Sequence, residues 1–322
     1  MKKVLLTGAA GFIGARIGEL LLTRGYRVVG IDNMNNYYDV RLKRYRLNRL
    51  MAHSCFSFYG CDIEDQAVLS RIFNKHKFDA ILNLAARAGV RYSIVDPSIY
   101  MSTNANGTLN LFEQCRKHGI KKFVLASSSS LYAGQKMPFK EDISVNRPIS
   151  PYAASKKAAE EMAYVYHYLY GIDVTILRYF SVYGPAGRPD MSPFRFIKWI
   201  DEGKAVKLFG DGFQRRDFTY IDDIATGSVK ALKKMGYKII NLGNHTPYNI
   251  NQMIRFIEKS LGKKAKIERH DSQKVDMKAT WADISKAKRI LGWFPKVGLE
   301  EGIDRTVGWY LANKPWISKI KI

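Results

Sequence analysis

The sequence predicts an α/β protein with a doubly wound parallel sheet and a smaller C-terminal α/β lobe. Short apolar runs alternate with helix-period segments in the first half, and a glycine-rich segment directly follows the first run. This rhythm ends near residue 180. Strand–helix alternation of this kind indicates a parallel sheet with helices on both faces.

The strands and helices of the first half are predicted from the spacing of apolar residues. Apolar runs predict strands at Val4–Thr7, Arg27–Ile31, Phe56–Tyr59, Ala80–Leu84, Phe123–Ala126 and Val174–Tyr179. Apolar residues three and four positions apart predict helices at Phe12–Thr23, Asp65–His76, Ile99–His118 and Tyr152–Tyr170. The basic segment Val40–Leu50 has the spacing of an amphipathic helix, whose Arg and Lys side chains we expect on a solvated face.

The second half is less regular, because Gly and Pro interrupt Tyr183–Pro193. Strands are expected at Phe218–Ile221 and Ile239–Leu242, both rejoining the first domain, and helices at Asp223–Lys234, Asn251–Leu261, Ile284–Leu291 and Leu299–Ala312. We therefore expect one domain from residues 1–180, with 216–245 returning to it, and a second lobe from residues 181–215 and 246–322. The second lobe would close over the carboxyl ends of the strands, where open α/β sheets bind ligands.

The segment GAAGFIG opens the first helix directly after the first strand, with glycines at Gly8, Gly11 and Gly14. Glycine is needed where a chain turns sharply, where backbone amides approach a pyrophosphate, and where a helix packs closely on a sheet. The spacing is GxxGxxG rather than the commoner GxGxxG. The alternative is a glycine-rich turn without a ligand, which a strand before it and a helix after it do not favour.

Acidic residues at the ends of two strands refine the predicted ligand. Asp32 ends the second strand, where a carboxylate accepts hydrogen bonds from ribose hydroxyls and would repel a 2′-phosphate. The predicted dinucleotide is therefore NAD rather than NADP. Asp62 and Ile63 follow the third strand and are placed to meet the adenine.

Composition excludes several classes of protein. The chain has 322 residues with 46% hydrophobic side chains, as folded globular proteins do. No apolar run approaches the ~20 residues that span a bilayer, so we expect no membrane association and a cytoplasmic protein. The three cysteines contain no CxxC pair and are typical of buried thiols in a reducing compartment, and no metal site is expected.

The formal net charge of +23 permits three interpretations. It could serve nucleic acid, anionic lipid, or a site for a multiply charged anion. The basic residues are spread over the whole chain and accompany no nucleic-acid recognition motif. Specific nucleic-acid binding is therefore not expected, and the charge alone does not decide between the other interpretations.

The segment YAASK places Tyr152 and Lys156 four residues apart at the start of a predicted helix, so both lie on one face. A free tyrosine titrates near pH ~10 and is a poor base at neutral pH. A nearby ammonium group and an oxidised nicotinamide, both positive, favour the phenolate. We expect Tyr152 to act as a catalytic base.

Four serines at 127–130 follow a buried-looking strand in the segment LASSSSLYAG. Serine is a poor former of helices and strands, because its hydroxyl competes for nearby backbone groups. A run of four at a strand end indicates hydroxyl groups gathered to hold a polar ligand. The alternative for Ser129 and Ser130 is a hydrogen-bonded loop without ligand contact.

These motifs together resemble the extended short-chain dehydrogenase/reductase family, in particular its nucleotide-sugar epimerases and dehydratases. The resemblance covers essentially the whole chain and continues through RYFSVYGP at 178–185, RRDFTYIDDI at 215–224 and WADISKAKRILGW at 281–293. The segments IDNMNNYYDVRLKRYRL, RAGVRYS and VYGPAGRPDMSPF are most similar to the enzymes that epimerise UDP-glucuronate at carbon 4. Asn83 stands where these enzymes usually have histidine, and Ser181 where threonine is usual.

The resemblance implies a Rossmann-type domain that holds NAD, a C-terminal lobe that holds a UDP-sugar, and a homodimer. Ser128 would be the hydroxyl partner of the sugar oxygen, with Tyr152 as base and Lys156 as ligand of the ribose and tuner of the phenol. Further cofactor contacts are expected from Phe12, Ile13, Asn33, Leu84, Ala85, Ala86, Asn104 and Tyr179. Substrate contacts are expected from Ser129, Ser130, Ser181, Arg188, Arg216 and Asp276.

The reaction expected from the resemblance is 4-epimerisation of UDP-glucuronate to UDP-galacturonate through a 4-keto sugar. That intermediate is a β-keto acid that can lose carbon dioxide, and neutral donors such as Ser129, Ser130 and Ser181 would hold its carboxylate in an unreactive orientation. The alternatives are a UDP-hexose or N-acetylated 4-epimerase and a UDP-glucuronate decarboxylase. A non-catalytic protein that senses NAD or binds anionic surfaces is a further alternative, which the Ser128, Tyr152 and Lys156 set disfavours.

Overall fold

A computed structural model describes residues 2–271 and 277–322. The strands are β1 (Lys3–Thr7), β2 (Arg27–Ile31), β3 (Phe56–Tyr59), β4 (Ala80–Asn83), β5 (Lys122–Ser128), β6 (Asp173–Tyr179), β7 (Ser181–Tyr183), β8 (Ala205–Phe209), β9 (Arg215–Tyr220), β10 (Lys238–Leu242), β11 (Pro247–Asn249) and β12 (Lys266–His270). The α-helices are α1 (Phe12–Thr23), α2 (Val40–Met51), α3 (Gln66–Lys75), α4 (Tyr92–Val95), α5 (Pro97–Tyr100), α6 (Gly107–Lys117), α7 (Pro151–Tyr170), α8 (Ser192–Asp201), α9 (Ile221–Lys230), α10 (Ile250–Leu261), α11 (Ser285–Leu291), α12 (Leu299–Ala312) and α13 (Lys314–Ile317).

The central sheet has seven parallel strands in the order β10-β6-β5-β4-β1-β2-β3. The chain moves outward from β1 in one direction through β2 and β3, then returns and continues from β4 on the other side. This order confirms the predicted doubly wound sheet, and it places a topological switch point between β1 and β4. Separate buried apolar clusters cover the two faces of the sheet.

One of the two strands predicted to rejoin the first domain does not join its sheet. β10 pairs with β6, as expected, whereas β9 lies in a separate three-stranded sheet between β7 and β11. β8 and β12 form a further two-stranded parallel sheet. A distinct apolar cluster, including Phe196, Trp199 and Tyr310, packs α8, α10 and α12 around these small sheets.

The helix predicted over Ile99–His118 is interrupted. The structure has the short helix α5, a π-helical segment at Met101–Asn106, and then α6. π-Helical segments inside helices are frequent at functional sites. This π-helical segment includes Asn104, whose side chain is almost fully buried.

The basic helix α2 is only partly as predicted. Arg41, Arg44 and Arg49 are exposed, but Lys43 and Arg46 are buried. The expectation of a fully solvated basic face is therefore wrong, because two of its cations point inward from the side that carries Leu42 and Leu50.

The C-terminal half of α7 presents an exposed apolar band. Tyr164, Val165, Tyr168 and Leu169 are all exposed, and the rings of Tyr164 and Tyr168 stack with centroids 6.4 Å apart. Across residues 2–271 and 277–322, no helix has both the length and the apolar character that crossing a membrane requires.

Candidate active site

A cleft of about 680 Å³ opens at the carboxyl ends of the parallel strands. Its walls come from the loops after β1, β2, β3, β4, β5 and β6 and from the second lobe. Open α/β sheets bind ligands at this edge, beside the switch point. The cleft is therefore the candidate active site.

The glycine motif forms one wall of the cleft and has no space for side chains. A Cβ atom at Gly14 would lie 2.1 Å from the Gly8 carbonyl oxygen, and one at Gly11 would lie 2.9 Å from the same oxygen. Gly8 has a φ of +67°, and its Cβ would lie 2.8 Å from the Leu84 backbone. Gly11 precedes α1 and supplies no side-chain cap, so the first N–H groups of α1 are open to an anionic ligand.

Acidic and amide side chains form the far end of this wall. The Asp32 carboxylate accepts from the Ala10 N–H at 3.1 Å and the Met34 N–H at 2.8 Å. The Asn33 amide donates to Asp62 at 2.6 Å, which joins the ends of β2 and β3. This end of the cleft therefore presents fixed hydrogen-bond acceptors.

The predicted catalytic residues lie together in the middle of the cleft. Ser150 caps α7 by accepting from the Ala153 N–H, and Pro151 occupies the first turn, so Tyr152 and Lys156 occupy the first two turns. The Tyr152 hydroxyl is hydrogen-bonded to Ser128. The Lys156 ammonium donates to the Ala126 carbonyl at 2.9 Å.

Burial acts on both groups of this pair. It raises the pKa of Tyr152, and the hydrogen bond to Ser128 opposes that rise. It also lowers the pKa of Lys156 to about 8, although the nearby Glu160 carboxylate opposes the fall. Lys156 therefore stays protonated at neutral pH, and the positive charge of Arg188 favours the phenolate form of Tyr152.

The four serines at 127–130 differ in position and in hydrogen-bond partners. The buried Ser127 hydroxyl donates to the Glu160 carboxylate at 2.6 Å and belongs to the scaffold. Ser128 lies at the Tyr152 hydroxyl, and Ser130 donates to Ser128 at 2.8 Å. Ser129 and Ser130, in a 3₁₀ turn, line the cleft together with Ser181 at the start of β7.

Arg188 enters the cleft from the loop after β7. Its guanidinium forms a two-pronged ion pair with Asp190 at 3.0 and 2.6 Å, and it also donates to the Ala88 carbonyl at 3.1 Å. The rings of Tyr37 and Tyr38 lie 5.4 and 5.8 Å from it. Arg188 is thus fixed in the wall rather than free on the surface.

The structure brings most of the predicted site residues into one cavity. The following line it: Gly8, Gly11, Phe12, Ile13, Gly14, Asp32, Asn33, Asp62, Ile63, Leu84, Ala85, Ala86, Ser128, Ser129, Ser130, Tyr152, Lys156, Tyr179, Ser181, Arg188 and Arg216. Asp276 lies outside the described residues.

Asn104 does not line the cleft. Its amide accepts from the Arg87 N–H and donates to the Arg87 carbonyl and to Ser155, whose hydroxyl donates to the Tyr152 carbonyl. The structure therefore places Asn104 behind the wall, where it joins the loop after β4 to the catalytic helix.

Sequence reasoning missed several cations of the site. Lys43, Arg87, Arg195 and Lys207 line the cleft. They stand on different elements at irregular spacing, so no local motif could have identified them. The acidic residues among the described lining residues are Asp32, Asp62 and Asp190. Lysine and arginine therefore outnumber acidic residues in the cleft lining, which suits a ligand with several negative charges.

Asn83 is buried, and both the oxygen and the nitrogen of its amide are hydrogen-bonded. It accepts from Thr7 at 2.7 Å and donates to Thr108 at 2.9 Å. Thr7 in turn accepts from the N–H groups of Leu84 and Ala85, both at 3.1 Å. Asn83 therefore shapes the β4 loop from within the core and does not line the cleft.

A glycine cradle, acidic strand ends and a Tyr–Lys pair define a dinucleotide-dependent enzyme with a cation-rich site beside the cofactor cleft. Comparison with known proteins agrees. The family model described as GDP-mannose 4,6 dehydratase matches residues 5–306. The chain belongs to this family of short-chain dehydrogenases/reductases.

Individual relatives are more specific. A UDP-glucuronate 4-epimerase of Thermodesulfobacterium geofontis is 56% identical over 319 residues, covering 99% of each chain. The structure of UDP-glucuronic acid 4-epimerase from Bacillus cereus, in complex with UDP-glucuronic acid and NAD, is similar with a TM-score of 0.91 and 38% identity, covering 97% of this chain and 99% of that one. A UDP-glucose 4-epimerase of Thermotoga maritima with UDP-glucose matches with a TM-score of 0.87 and 32% identity, covering 97% and 99%.

Proposed function

We propose that the protein is an NAD-dependent 4-epimerase that interconverts UDP-glucuronate and UDP-galacturonate. The observation that carries this proposal is a wall of neutral hydroxyl groups, from Ser129, Ser130 and Ser181, beside Tyr152 in a cation-rich cleft. The relatives named above support the same reaction.

The residues of the cleft fit NAD. The three glycines leave backbone amides exposed where side chains would fill the cradle, and Asp32 stands where ribose hydroxyls can donate to it. Asp62 and Ile63 would flank the adenine, and Lys156 and Tyr179 the nicotinamide end. When bound, NAD accepts a hydride from sugar carbon 4 and later returns it.

Tyr152 would move the proton. Its phenolate, favoured by the Lys156 ammonium, takes the proton of the sugar 4-hydroxyl, and Ser128 holds the same oxygen through its own hydroxyl. After the 4-keto sugar has turned over, Tyr152 returns the proton to the ketone oxygen. The tyrosine therefore ends each cycle in the protonation state in which it began.

The neutral wall separates this reaction from decarboxylation. A β-keto acid loses carbon dioxide when its carboxylate stands perpendicular to the ketone plane and is poorly solvated. Hydroxyl donors from Ser129 and Ser181, and from Ser130 once its O–H turns away from Ser128, would hold the carboxylate by hydrogen bonds together with the cation of Arg188. Among the described lining residues, Asp32 and Asp62 lie at the cofactor end and Asp190 is paired with Arg188, so no free carboxylate stands near the proposed sugar site.

The UDP end would lie in the second lobe. Arg216 faces the cleft from β9, and Gln214, Met277 and Thr280 line the same region. A forked guanidinium is suited to a diphosphate. We place the diphosphate at Arg216 and the uridine near these neighbours, with Asp276 as the proposed partner of its ribose.

We also infer a homodimer in a reducing compartment, the cytoplasm. The exposed band of Tyr164, Val165, Tyr168 and Leu169 on α7 is the surface we assign to the second copy, since adjacent exposed apolar side chains favour association. The cysteines are all free thiols, which supports the compartment. Light scattering across a concentration series tests the dimer, and Tyr168→Glu should shift it to the monomer.

The test of function is proton NMR of the purified protein with UDP-glucuronate and no added cofactor. Growth of UDP-galacturonate to a stable mixture is expected, and it would also show that NAD is retained during purification. UDP-xylose or a 4-keto pentose would mean that the serine wall does not protect the carboxylate. Turnover of UDP-glucose or UDP-N-acetylglucosamine, with no change in UDP-glucuronate, would favour the hexose epimerase instead.

A further inference from the structure

Arg46 lies outside the cleft and yet contacts two of its walls. Its guanidinium is 3% exposed, and every nitrogen of the group donates at least one hydrogen bond. Arginine carries five N–H donors in a rigid fork, so a fully bonded and buried guanidinium fixes all of its partners relative to one another. The partners therefore indicate what Arg46 holds.

The first partner is the glycine loop. Arg46 Nη1 donates to the Ala10 carbonyl at 3.2 Å. Ala10 lies between Gly8 and Gly11, and its N–H donates to Asp32. The Phe12 ring, which opens α1, lies 5.8 Å from the guanidinium. Arg46 thus supports the proposed cofactor cradle from behind.

The second partner is the loop that carries Arg188. Arg46 Nε and Nη2 donate to the Ala186 carbonyl at 2.9 and 2.7 Å, and Nη2 also donates to the Gly187 carbonyl at 3.2 Å. Ala186 has a φ of +56°, a conformation that residues with a Cβ rarely adopt. Such conformations persist only where the surroundings enforce them, and the guanidinium fork supplies that enforcement here.

A third contact of Arg46, with Tyr38, also leads to Arg188. Arg46 Nη1 donates to the Tyr38 hydroxyl at 2.7 Å, and the Tyr38 ring lies 5.8 Å from the Arg188 guanidinium. Arg46 therefore reaches Arg188 by two routes, through the backbone at 186–187 and through the Tyr38 ring. All five N–H groups of the guanidinium donate to neutral carbonyl or hydroxyl oxygens of these loops.

We propose that Arg46 is a positioning residue that couples the cofactor loop to the substrate loop, so that NAD retention and the placement of Arg188 depend on the same guanidinium. This inference rests on the proposed function, since it assigns Arg188 to the sugar end of the cleft. Displacing reacting groups by about 1 Å can reduce rates roughly 100-fold, so Arg46 can affect the reaction rate without lining the cleft.

The test compares Arg46→Lys and Arg46→Met with the wild type and with Arg49→Lys. Arg49 lies on the same helix, is exposed, and pairs with Glu19, so its replacement is a matched control. The readouts are the NAD content of the purified protein after desalting, KM and kcat for UDP-glucuronate, and the ratio of decarboxylated to epimerised product. Circular dichroism and thermal melting report whether each variant is folded.

Lysine at position 46 keeps the charge but cannot hold two loops with one ammonium. For folded Arg46→Lys we expect lower NAD content, a KM raised about tenfold, a smaller change in kcat, and more decarboxylated product. Arg49→Lys should match the wild type in all of these. If folded Arg46→Lys retains NAD and keeps the wild-type KM, the coupling proposal is wrong.

Two further results separate this inference from the proposed function. If the wild type leaves UDP-glucuronate unchanged, the proposed function fails, while NAD content still tests the cofactor half of the coupling. If Arg46→Met does not fold, Arg46→Lys decides alone. If folded Arg46→Lys loses NAD but has the wild-type KM when NAD is added to saturation, Arg46 supports the glycine loop only. That result would overturn the proposed coupling to the loop that carries Arg188.

Discussion

Tyr152 lies on the first turn of α7 with its hydroxyl bonded to Ser128, and the proposed reaction depends on that single oxygen. Asn104 and Ser155 fix the same turn from behind, because the Asn104 amide donates to the Ser155 hydroxyl, which in turn donates to the Tyr152 carbonyl. The position of the phenol is thus set by the helix and by the loop after β4 together. Removing the oxygen should leave this support in place.

Tyr152→Phe should lower kcat for epimerisation by at least about 100-fold, the contribution of a well-placed acid–base group. NAD content and thermal stability should stay near the wild-type values, since the ring and the helix are kept. Chromatography of the UDP-sugars measures the rate. Tyr168→Phe, on the same helix but 75% exposed, is the control and should retain full activity. Activity above a tenth of the wild type in Tyr152→Phe would remove Tyr152 from the mechanism.

Lys156 carries a stability cost that depends on pH. Its pKa falls from 10.5 to about 8 in the folded protein because of burial. Between pH 8 and 10.5 the folded state therefore binds fewer protons than the unfolded chain, and the free energy of unfolding rises with pH over this window. Below pH 8 the buried ammonium costs the folded state about 3 kcal/mol relative to a neutral group.

Lys156→Met should consequently abolish epimerisation without lowering stability at neutral pH. Urea unfolding at pH 7 and at pH 10 gives the comparison. As pH rises above 8, the free energy of unfolding of the wild type should increase relative to that of the variant. A difference that is constant with pH would show that Lys156 is not held charged in a dry environment.

At the scale of elements, the glycine loop, β5 and α7 position the site. In the loop between β1 and α1, the backbone at Gly11 and Gly14 lies so close to the Gly8 carbonyl that only glycine fits at these positions. Arg178 on β6 and Glu160 on α7 form a buried ion pair, in which Nε and Nη2 of the arginine lie 3.0 and 2.6 Å from the two carboxylate oxygens. Glu160 also accepts from Ser127 at the end of β5, so one carboxylate fixes three elements.

Gly14→Ala tests the glycine loop. The added methyl would lie 2.1 Å from the Gly8 carbonyl oxygen, and backbone cannot yield as a side chain can. The variant should purify with little NAD and lose activity, measured by the cofactor's absorbance after denaturation. Gly308→Ala is the control, since a Cβ there has nothing within 4 Å and alanine suits a helix better than glycine. Full NAD content in Gly14→Ala would show that the loop can rearrange.

Glu160→Ala tests the buried ion pair. Removing one partner leaves the Arg178 charge buried and unpaired, which should cost about 3–5 kcal/mol of unfolding free energy. Glu161→Ala is a neighbouring control, because Glu161 is exposed and its pair with Lys157 should contribute less than about 1 kcal/mol. Chemical denaturation measures both. Equal effects of the two substitutions would mean that the buried pair contributes no more to stability than the exposed one.

Local patterns were sufficient to predict most strands and helices of the first domain, and they singled out Ser128, Tyr152 and Lys156, which lie together in the cleft. The helix predicted at Leu299–Ala312 has the same bounds in the structure, and α7 begins one residue earlier than predicted. Predictions failed where tertiary contacts override local pattern. Lys43 and Arg46 lie on a helix whose charge favours solvent, and only the cleft and the loops behind it explain their burial. The pairing of β9 with β7 and β11 likewise depends on long-range contacts that a short apolar run cannot report.

For the whole molecule, the net charge of +23 finds part of its explanation in the cleft. Lysine and arginine predominate over acids among its lining residues, and they come from both lobes. A field of this sign, focused by a concave wall, raises the local concentration of an anionic substrate and speeds its capture. The rate of binding should therefore depend on salt more than the rate of chemistry does.

Raising sodium chloride from about 0.05 to about 0.5 M should lower kcat/KM for UDP-glucuronate roughly three- to tenfold, because salt shortens the range of the attraction. kcat should change little, since the groups around Tyr152 are buried. Initial rates at fixed protein concentration provide the measurement. A kcat that falls in parallel with kcat/KM would point to weakened structure rather than weakened attraction.

The glycine loop also limits how this protein can evolve. Asn83 is held in the core by the side chains of Thr7 and Thr108, which substitutions at those neighbours could adapt to a different residue. Gly14 has no such neighbours, since the contact that excludes a side chain is made by backbone, which no mutation elsewhere can trim. Every base change that alters this codon's residue adds a Cβ atom, and no path of tolerated intermediates leads away from glycine. Lineages that abandon this cofactor would keep the residue or lose the loop as a whole.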